Sequence, residues 1–415
     1  MIKIDLFPTK KFKTTFITVR MIAAFEKATI NDRAMIPGIL VASTKRYKSK
    51  AGISRRLDGL YGTILNVFTS KIGIQSVIHF SVQFPSDRFL PEHESVSSEA
   101  IELLKEIIFN PLTKSGYFPK SVVSDEIRLL KENIESEYND KNEYAFQQFK
   151  KAMFKDELYA LRTRGDYDTL DQSTPKSLWE SYQEMIKNDE IHISVVGDFD
   201  IAAITKELNR TFDIGRHDLP HQWIDTEGRI ASEPQVIEEF NHIKQAKIMI
   251  GFRTPVRFGS DDYMAMVVFN TLFGDSDQAR LFRVIREEHH LCYYVSSSFD
   301  SNKGVLFITL GVEPGQEKKA TDLAMKVLDD MKAGLWSDED LEFAKSFQNK
   351  RIRQRDDSIV SLSSTDFYFR QVYGNPYDTA EQLKNLSSVL RTDIIRSAQS
   401  LRLDTVYTLT KQASL

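Results

Sequence analysis

The segment ARLFRVIREEHHLCYYVSSS, residues 279–298, gathers arginines, two acids, two histidines, a cysteine and two tyrosines within a few turns of chain. Three kinds of chemistry could use such a set: metal ligation, thiol nucleophilicity, or hydrogen-bond donation to a peptide. A catalytic divalent metal needs neutral imidazoles and a carboxylate converging on one ion, which on a helix means histidines three or four apart with a glutamate beside them. The eight histidines are His79, His93, His192, His217, His221, His242, His289 and His290, and none forms H-E-x-x-H or H-x-x-E-H. His217 and His221 are spaced i, i+4, but Pro220 stands between them and removes the helix that would give the spacing meaning. His289 and His290 are adjacent, so they point in different directions on a helix or a strand, and they fit better as polar residues ending a helix. Cys292 lies near both imidazoles and could act as a nucleophile, or it could be a small core residue of a strand. Phosphate-cradling glycine loops and the G-x-S-x-G elbow are absent from the sequence.

Elements that would position these residues can be read from periodicity. Residues 14–25 alternate as a strand, 30–44 change to helical spacing, and 53–84 read as a helix ending near Tyr61 and Gly62 followed by two antiparallel strands around Gly73. Helices are expected at about 95–109, 118–139 and 141–154, then a strand at 190–200 and a helix over 200–211. Residues 213–235 are polar, aperiodic and carry two prolines, as an interdomain linker would. After them the same grammar returns: a strand (HIKQAKIMIGFRT), two helices, a strand pair around Asn302, Lys303 and Gly304, and the helix KKATDLAMKVLDDM. Three more helices, at about 337–354, 358–373 and 379–402, the last with a break, precede a closing strand. Such duplication predicts an α+β protein of two similar domains, 1–212 and 236–415, each an antiparallel-rich sheet with helices packed on one side.

Composition narrows the function classes. With 415 residues and 41% hydrophobic side chains the chain is long enough for two cores, and a net charge of −4 gives no global reason to expect nucleic acid or a membrane surface as partner. Neither an N-terminal apolar segment nor a run of 18 apolar residues is present, and one cysteine suits a reducing compartment; a cytoplasmic location is therefore expected.

The element order, RRLDGLYG before a glycine hairpin, GDFD at 197–200 and RLFRVIREEHHLCYYVSSS together resemble the insulinase/pitrilysin family of peptidases, which includes the mitochondrial processing peptidases. The resemblance implies the metalloenzyme LuxS/insulinase-like fold. It also implies an inverted zinc motif, H-x-x-E-H, on the helix after the early strands. In this chain that helix reads AMIPGILVAST: Ala34 and Gly38 stand where the histidines would be, Pro37 where the glutamate would be, and Asn133 falls at the more distant glutamate ligand, with Glu132 and Glu135 close by. These departures imply the metal-free type of subunit, holding no zinc itself, beside a zinc-bearing homologue that forms a peptidase chamber with it. The resemblance gives that subunit an arginine and, seven residues later, a tyrosine leaning over the partner's site. Arg286 and Tyr293 have this spacing, with Tyr294 adjacent, and their N–H and O–H groups could hold a carbonyl of a peptide or unfolded polypeptide substrate and stabilise its oxyanion. KSKAGISRRLDGLYGTILNVFTSKIG and LRTRGDYDTLDQ are further similar to bacterial insulinase-like proteins linked with 5-aminopentanol modification of elongation factor P. A non-proteolytic structural or peptide-binding module stands as the alternative, and a homodimer remains open.

Overall fold

The computed structural model describes residues 3–91, 94–212, 222–225 and 233–411. The first half runs β1 (Lys3–Pro8), β2 (Thr14–Ala24), α1 (Ile30–Ala42), α2 (Lys50–Asp58), β3 (Ile64–Ile72), β4 (Gln75–Pro85), α3 (Val96–Phe109), α4 (Lys120–Asn139), α5 (Lys141–Met153), α6 (Pro175–Asn188), β5 (Glu190–Gly197) and α7 (Ile201–Thr211). The second half runs β6 (Gln235–Phe240), β7 (Ala246–Arg253), α8 (Tyr263–Phe273), a wide π-type helix (Phe282–Glu288), β8 (Cys292–Asp300), β9 (Val305–Val312), α9 (Glu317–Lys332), α10 (Asp338–Arg355), α11 (Ile359–Tyr373), α12 (Thr379–Ser388), α13 (Arg391–Gln399) and β10 (Arg402–Thr410).

The two halves repeat one topology. Their five-stranded sheets have the orders β1-β5-β2-β4-β3 and β6-β10-β7-β9-β8, so each strand of one maps onto the strand five places later in the other. In each sheet the first strand pairs parallel with the last, and the other pairings are antiparallel. The two α+β domains expected from the duplicated grammar are therefore present. Sequence periodicity did not reveal β1, β6 and α6. The expected linker range closes on Gln235, which opens β6, and within it Trp223 is buried against Ile22, Val77 and Phe367.

Strand alternation divides each sheet into two faces. Ile17, Val19 and Met21 of β2 join Ile78, Phe80 and Val82 of β4 in a core closed by the first half's own helices. Ile248, Ile250 and Phe252 of β7 do the same with Leu306, Ile308 and Leu310 of β9 in the second half. The opposite faces are covered by exchange. From the first half, α5 sets Phe149 and Met153 against Met249, Phe307 and Tyr407 of the second sheet. From the second half, α11 sets Ile359, Leu362 and Phe367 against Phe16, Val196, Ile22 and Val77 of the first. Gly251 of β7 makes one approach possible, because a Cβ there would come within 2.6 Å of the Phe149 ring.

Polar groups fix both exchanges. Arg20 of β2, 1% exposed, donates to Ser194 Oγ at 2.6 Å and Ser363 Oγ at 3.2 Å while its guanidinium lies 4.2 Å from the Phe367 ring centre. Burial brings its pKa down to about 9. On the other side Arg253 donates to Asp404 at 2.6 Å, Glu157 at 2.7 Å and the Met153 carbonyl at 2.9 Å. Lys303 bridges the same Glu157 to Asp225, both at 2.6 Å. Removing one partner from a buried ionic network of this kind costs about 3–5 kcal/mol, because it leaves a buried charge unpaired.

Candidate functional site

The helix expected to carry a zinc motif is α1, and it packs against α4. Pro37 lies inside it, yet the helix continues to Ala42. A proline lacks the N–H that would bond the carbonyl four residues earlier, which here belongs to Arg33. Thr69 of β3 supplies the missing donor, its hydroxyl reaching that carbonyl at 2.6 Å. One residue on, a Cβ at Gly38 would collide with the carboxylate of Glu126 from α4. Burial holds this carboxyl above its ordinary range, with Lys50 opposing. Asn133, two turns further along α4, is exposed. A methyl group, a proline ring, a bare α-carbon and a solvated amide offer no imidazole or thiolate and no converging set of oxygens, so these positions do not fit a zinc ion. Among the described residues, no three or more His, Cys, Asp and Glu side chains are grouped so as to hold a metal. His217 and His221 lie outside the described residues.

Arg286 and Tyr293 sit on either side of the turn from the wide helix into β8. His290, at φ +52°, is the left-handed residue that ends this helix, and His289 and His290 are both exposed. Arg286 is exposed too, its guanidinium 4.8 Å from the centre of the Phe282 ring. The register of β8 on β9 slips directly after this turn: Cys292 pairs with Val312 but Tyr294 pairs with Gly311, leaving Tyr293 as the extra residue of a β-bulge. A bulge re-aims side chains. Cys292 and Val295 point into the second core, whereas Tyr293 is 58% exposed and Tyr294 half-buried.

Each tyrosine is tethered. The Tyr293 hydroxyl donates to Glu313 at 3.2 Å, and this hydrogen bond pushes the phenol above its ordinary pKa, keeping it a donor at neutral pH. The Tyr294 hydroxyl donates at 2.6 Å to Asn142 Oδ1 in the first turn of α5, so the exchanged helix of one half orients a side chain of the other. Burial raises the Tyr294 phenol to about 12. Its ring covers Gly311, where no larger residue would fit. Cys292 behaves as a core residue: burial pushes its thiol up to about 11, which leaves almost no thiolate at neutral pH. The sequence reading missed Thr69, Glu126, Asn142 and Glu313; only the proline inside an otherwise helical pattern was a signal that some donor must be found for Arg33.

Residues 173–347 match a family model described as the peptidase M16 inactive domain. The chain is 31% identical, over 400 residues that make up 96% of it and 93% of the relative, to the probable inactive metalloprotease YmfF of Bacillus subtilis (strain 168). It belongs to the M16 peptidase family. Solved structures similar to this M16 chain include a conserved protein from Enterococcus faecalis V583, at TM-score 0.94 and 25% identity over 100% of this chain and 98% of that one. Another is a peptidase M16 inactive domain from Pseudomonas fluorescens, at TM-score 0.80 and 14% identity over 100% and 97%. These relatives agree with the donor-free positions along α1: the chain is an insulinase-like M16 member of the inactive type. No helix among its described residues is long and apolar enough to cross a membrane.

Proposed function

We propose that this M16 chain is the metal-free half of a cytoplasmic peptidase pair, docking against a zinc-bearing homologue and contributing Arg286 and Tyr293 to the handling of a peptide or unfolded polypeptide. The observation that carries the reading is the bulge in β8, which turns Tyr293 toward solvent beside an exposed arginine while Ala34, Pro37 and Gly38 of α1 offer no ligands for a metal. Zinc in the partner would supply the Lewis acid. The residues of this chain would donate hydrogen bonds: the Tyr293 O–H and the Arg286 guanidinium are directional donors suited to a peptide carbonyl whose oxygen gains negative charge. Tyr294, held by Asn142, fixes the strand from which Tyr293 projects.

The test is reconstitution with a zinc-bearing homologue from the same cell. Arg286→Ala and Tyr293→Phe are each expected to lower turnover on the order of 100-fold, the usual effect of losing one oxyanion donor, while assembly measured by size-exclusion chromatography is unchanged. Full turnover in both variants would remove the catalytic-support role. The reading extends, through the similarity to the 5-aminopentanol group, to modification of elongation factor P. If inactivating the partner's zinc motif leaves that modification intact in cells, the chain serves instead as a non-proteolytic binding module, a role that the donor-free α1 would equally permit. A homodimer replaces the heterodimer if purified chain alone sediments as two copies and admits no homologue.

A further inference from the structure

A cavity of about 710 Å³ lies where the end of β3, the α4–α5 junction and the 158–164 loop meet, with Asp300 of the second half completing its wall. Its charges are unevenly satisfied. Glu137 receives Arg162 at 3.3 Å and Arg164 at 2.7 Å. Asp140 caps α5 by accepting the Asn142 and Glu143 N–H groups, and Glu143 accepts from Gln147 at 2.7 Å. Asp300 accepts from the Tyr159 hydroxyl at 2.6 Å and from the Asn302 N–H at 2.9 Å. Two lysines stand differently. Lys71 and Lys150 approach the same ring, with ammonium groups 4.4 and 5.5 Å from the centre of Tyr159, and among the described residues no carboxylate lies within ion-pair distance of either. The Lys71 ammonium donates to the Leu158 carbonyl at 3.3 Å.

Two partly buried ammonium groups beside one aromatic ring repel each other, and the repulsion is relieved either by loss of a proton or by an anion that joins them. We infer that the cavity receives the free carboxylate of a peptide's C-terminal end between Lys71 and Lys150, an assignment that rests on the peptide-handling reading above. The charge of the wall selects the class of ligand. Glu137 is taken up by Arg162 and Arg164 and Asp140 by the α5 amides, so the two lysines are left facing Glu143 and Asp300, beside which a monoanion is repelled less than a phosphate dianion. The volume falls within the range of about 300–1,000 Å³ that houses small-molecule-sized ligands, enough for a few terminal residues. Burial, reinforced by Lys150, brings Lys71 down to about 7, with Asp300 and Asp225 opposing and Lys303 adding to the fall. Lys150 is lowered by burial and Arg162 against Glu143, Asp300 and Glu137.

The experiment uses the full chain and three probes: N-acetyl-tetraalanine with a free carboxylate, the same peptide as its C-terminal amide, and inorganic phosphate. Acylation of lysines by an amine-reactive ester, quantified by mass spectrometry, reads protection at Lys71 and Lys150; calorimetry reads affinity. The free acid is expected to protect both lysines and the amide neither. Lys71→Met and Lys150→Met, checked for fold by circular dichroism, should each weaken the acid at least tenfold. Affinity for the acid should fall about tenfold or more between pH 6.5 and 8.5 as Lys71 loses its proton. Equal protection by acid and amide overturns the carboxylate site while leaving peptide handling in place. Protection by phosphate at lower concentration than by the acid overturns the peptide assignment in favour of a simple anion site. Absence of protection by any probe at millimolar concentration overturns the site outright, and the turnover of the reconstituted pair then decides the parent reading separately.

Discussion

Helix α1 survives a proline in its interior because a threonine on a neighbouring strand answers for the missing amide, and this pairing can be tested as a free-energy cycle. Arg33 is 6% exposed, so its carbonyl has little access to water. Replacing Thr69 with valine keeps the shape and removes the hydroxyl that reaches this carbonyl at 2.6 Å in place of the residue-37 amide. An unsatisfied buried acceptor costs about 1–3 kcal/mol, so Thr69→Val should lower stability by roughly that amount. With Pro37→Ala in the background the outcome changes, since the alanine N–H bonds Arg33 as an ordinary helical residue would, and Thr69→Val should then cost less than about 0.5 kcal/mol. The expected coupling is therefore about 1 kcal/mol or more. Whatever Pro37→Ala does alone, through helix propensity or lost packing, cancels from the coupling. Urea unfolding of the four proteins followed by far-ultraviolet circular dichroism supplies the midpoints, compared at a shared denaturant slope. Additivity within about 0.3–0.5 kcal/mol would refute the reasoning and would mean that the proline is accommodated in some other way.

Three further outcomes concern His192, Cys292 and Gly251. His192 is fully buried, donates to Asp5 at 2.6 Å and is brought down to about 4 by burial, so it stays neutral in the folded protein while the unfolded chain protonates it below about pH 6.5. Stability should consequently fall as pH drops from 6.5 to 4, by up to about 3 kcal/mol, and His192→Gln should flatten that slope; an unchanged slope in urea titrations would reject the assignment. Cys292, with its thiol at about 11, should resist iodoacetamide at pH 8 in the native state and react once the chain is unfolded in urea, as mass spectrometry can follow. Gly251→Ala should cost about 1–3 kcal/mol, as overpacking does, because the new methyl meets Phe149 and Met153; the sign to look for is faster proteolysis within α5, and wild-type resistance would show that the helix can shift aside.

Periodicity carried far in this chain because most elements bury one face, and a buried face leaves its period in the sequence whether or not its partner is known. The strand pair around Gly73 and its repeat around Gly304 were legible for that reason, and with them the duplication. β1 and β6 were not, since a short edge strand such as KIDLFP is defined by its parallel pairing to a strand nearly two hundred residues away, which no local pattern records. Exchange of α5 and α11 was equally hidden: the spacing of Phe149 and Met153 says that a face is covered and is silent about which half covers it. At the candidate site, the spacing of Arg286 and Tyr293 was visible, but the slip in register between Cys292 and Tyr294 was not, because a bulge is decided by the count of residues on the facing strand. Pro37 was readable as a departure from a metal-binding helix; that Thr69 repairs the helix depended on the sheet.

The exchanged helices bear directly on how the Arg–Tyr pair is held. A strand at the edge of a sheet, as β8 is, has one free side and would ordinarily be among the more mobile parts of a domain. Here its bulge is gripped from two directions: from within its own half by Glu313 through Tyr293, and from the other half by Asn142 through Tyr294. Asn142 stands at the start of α5, whose far end is locked where Arg253 binds the Met153 carbonyl. The first half thus acts on the candidate site of the second by presenting one helix, and the residues at Ala34, Pro37 and Gly38 do not bear on that duty because α1 and α5 meet different sheets. If the Tyr294 tether is what aims Tyr293, Asn142→Ala must impair the reconstituted pair through an altered donor position, with a larger fall in kcat than rise in KM, although residue 142 itself touches no substrate. A loss confined to KM would instead make Asn142 part of the binding wall.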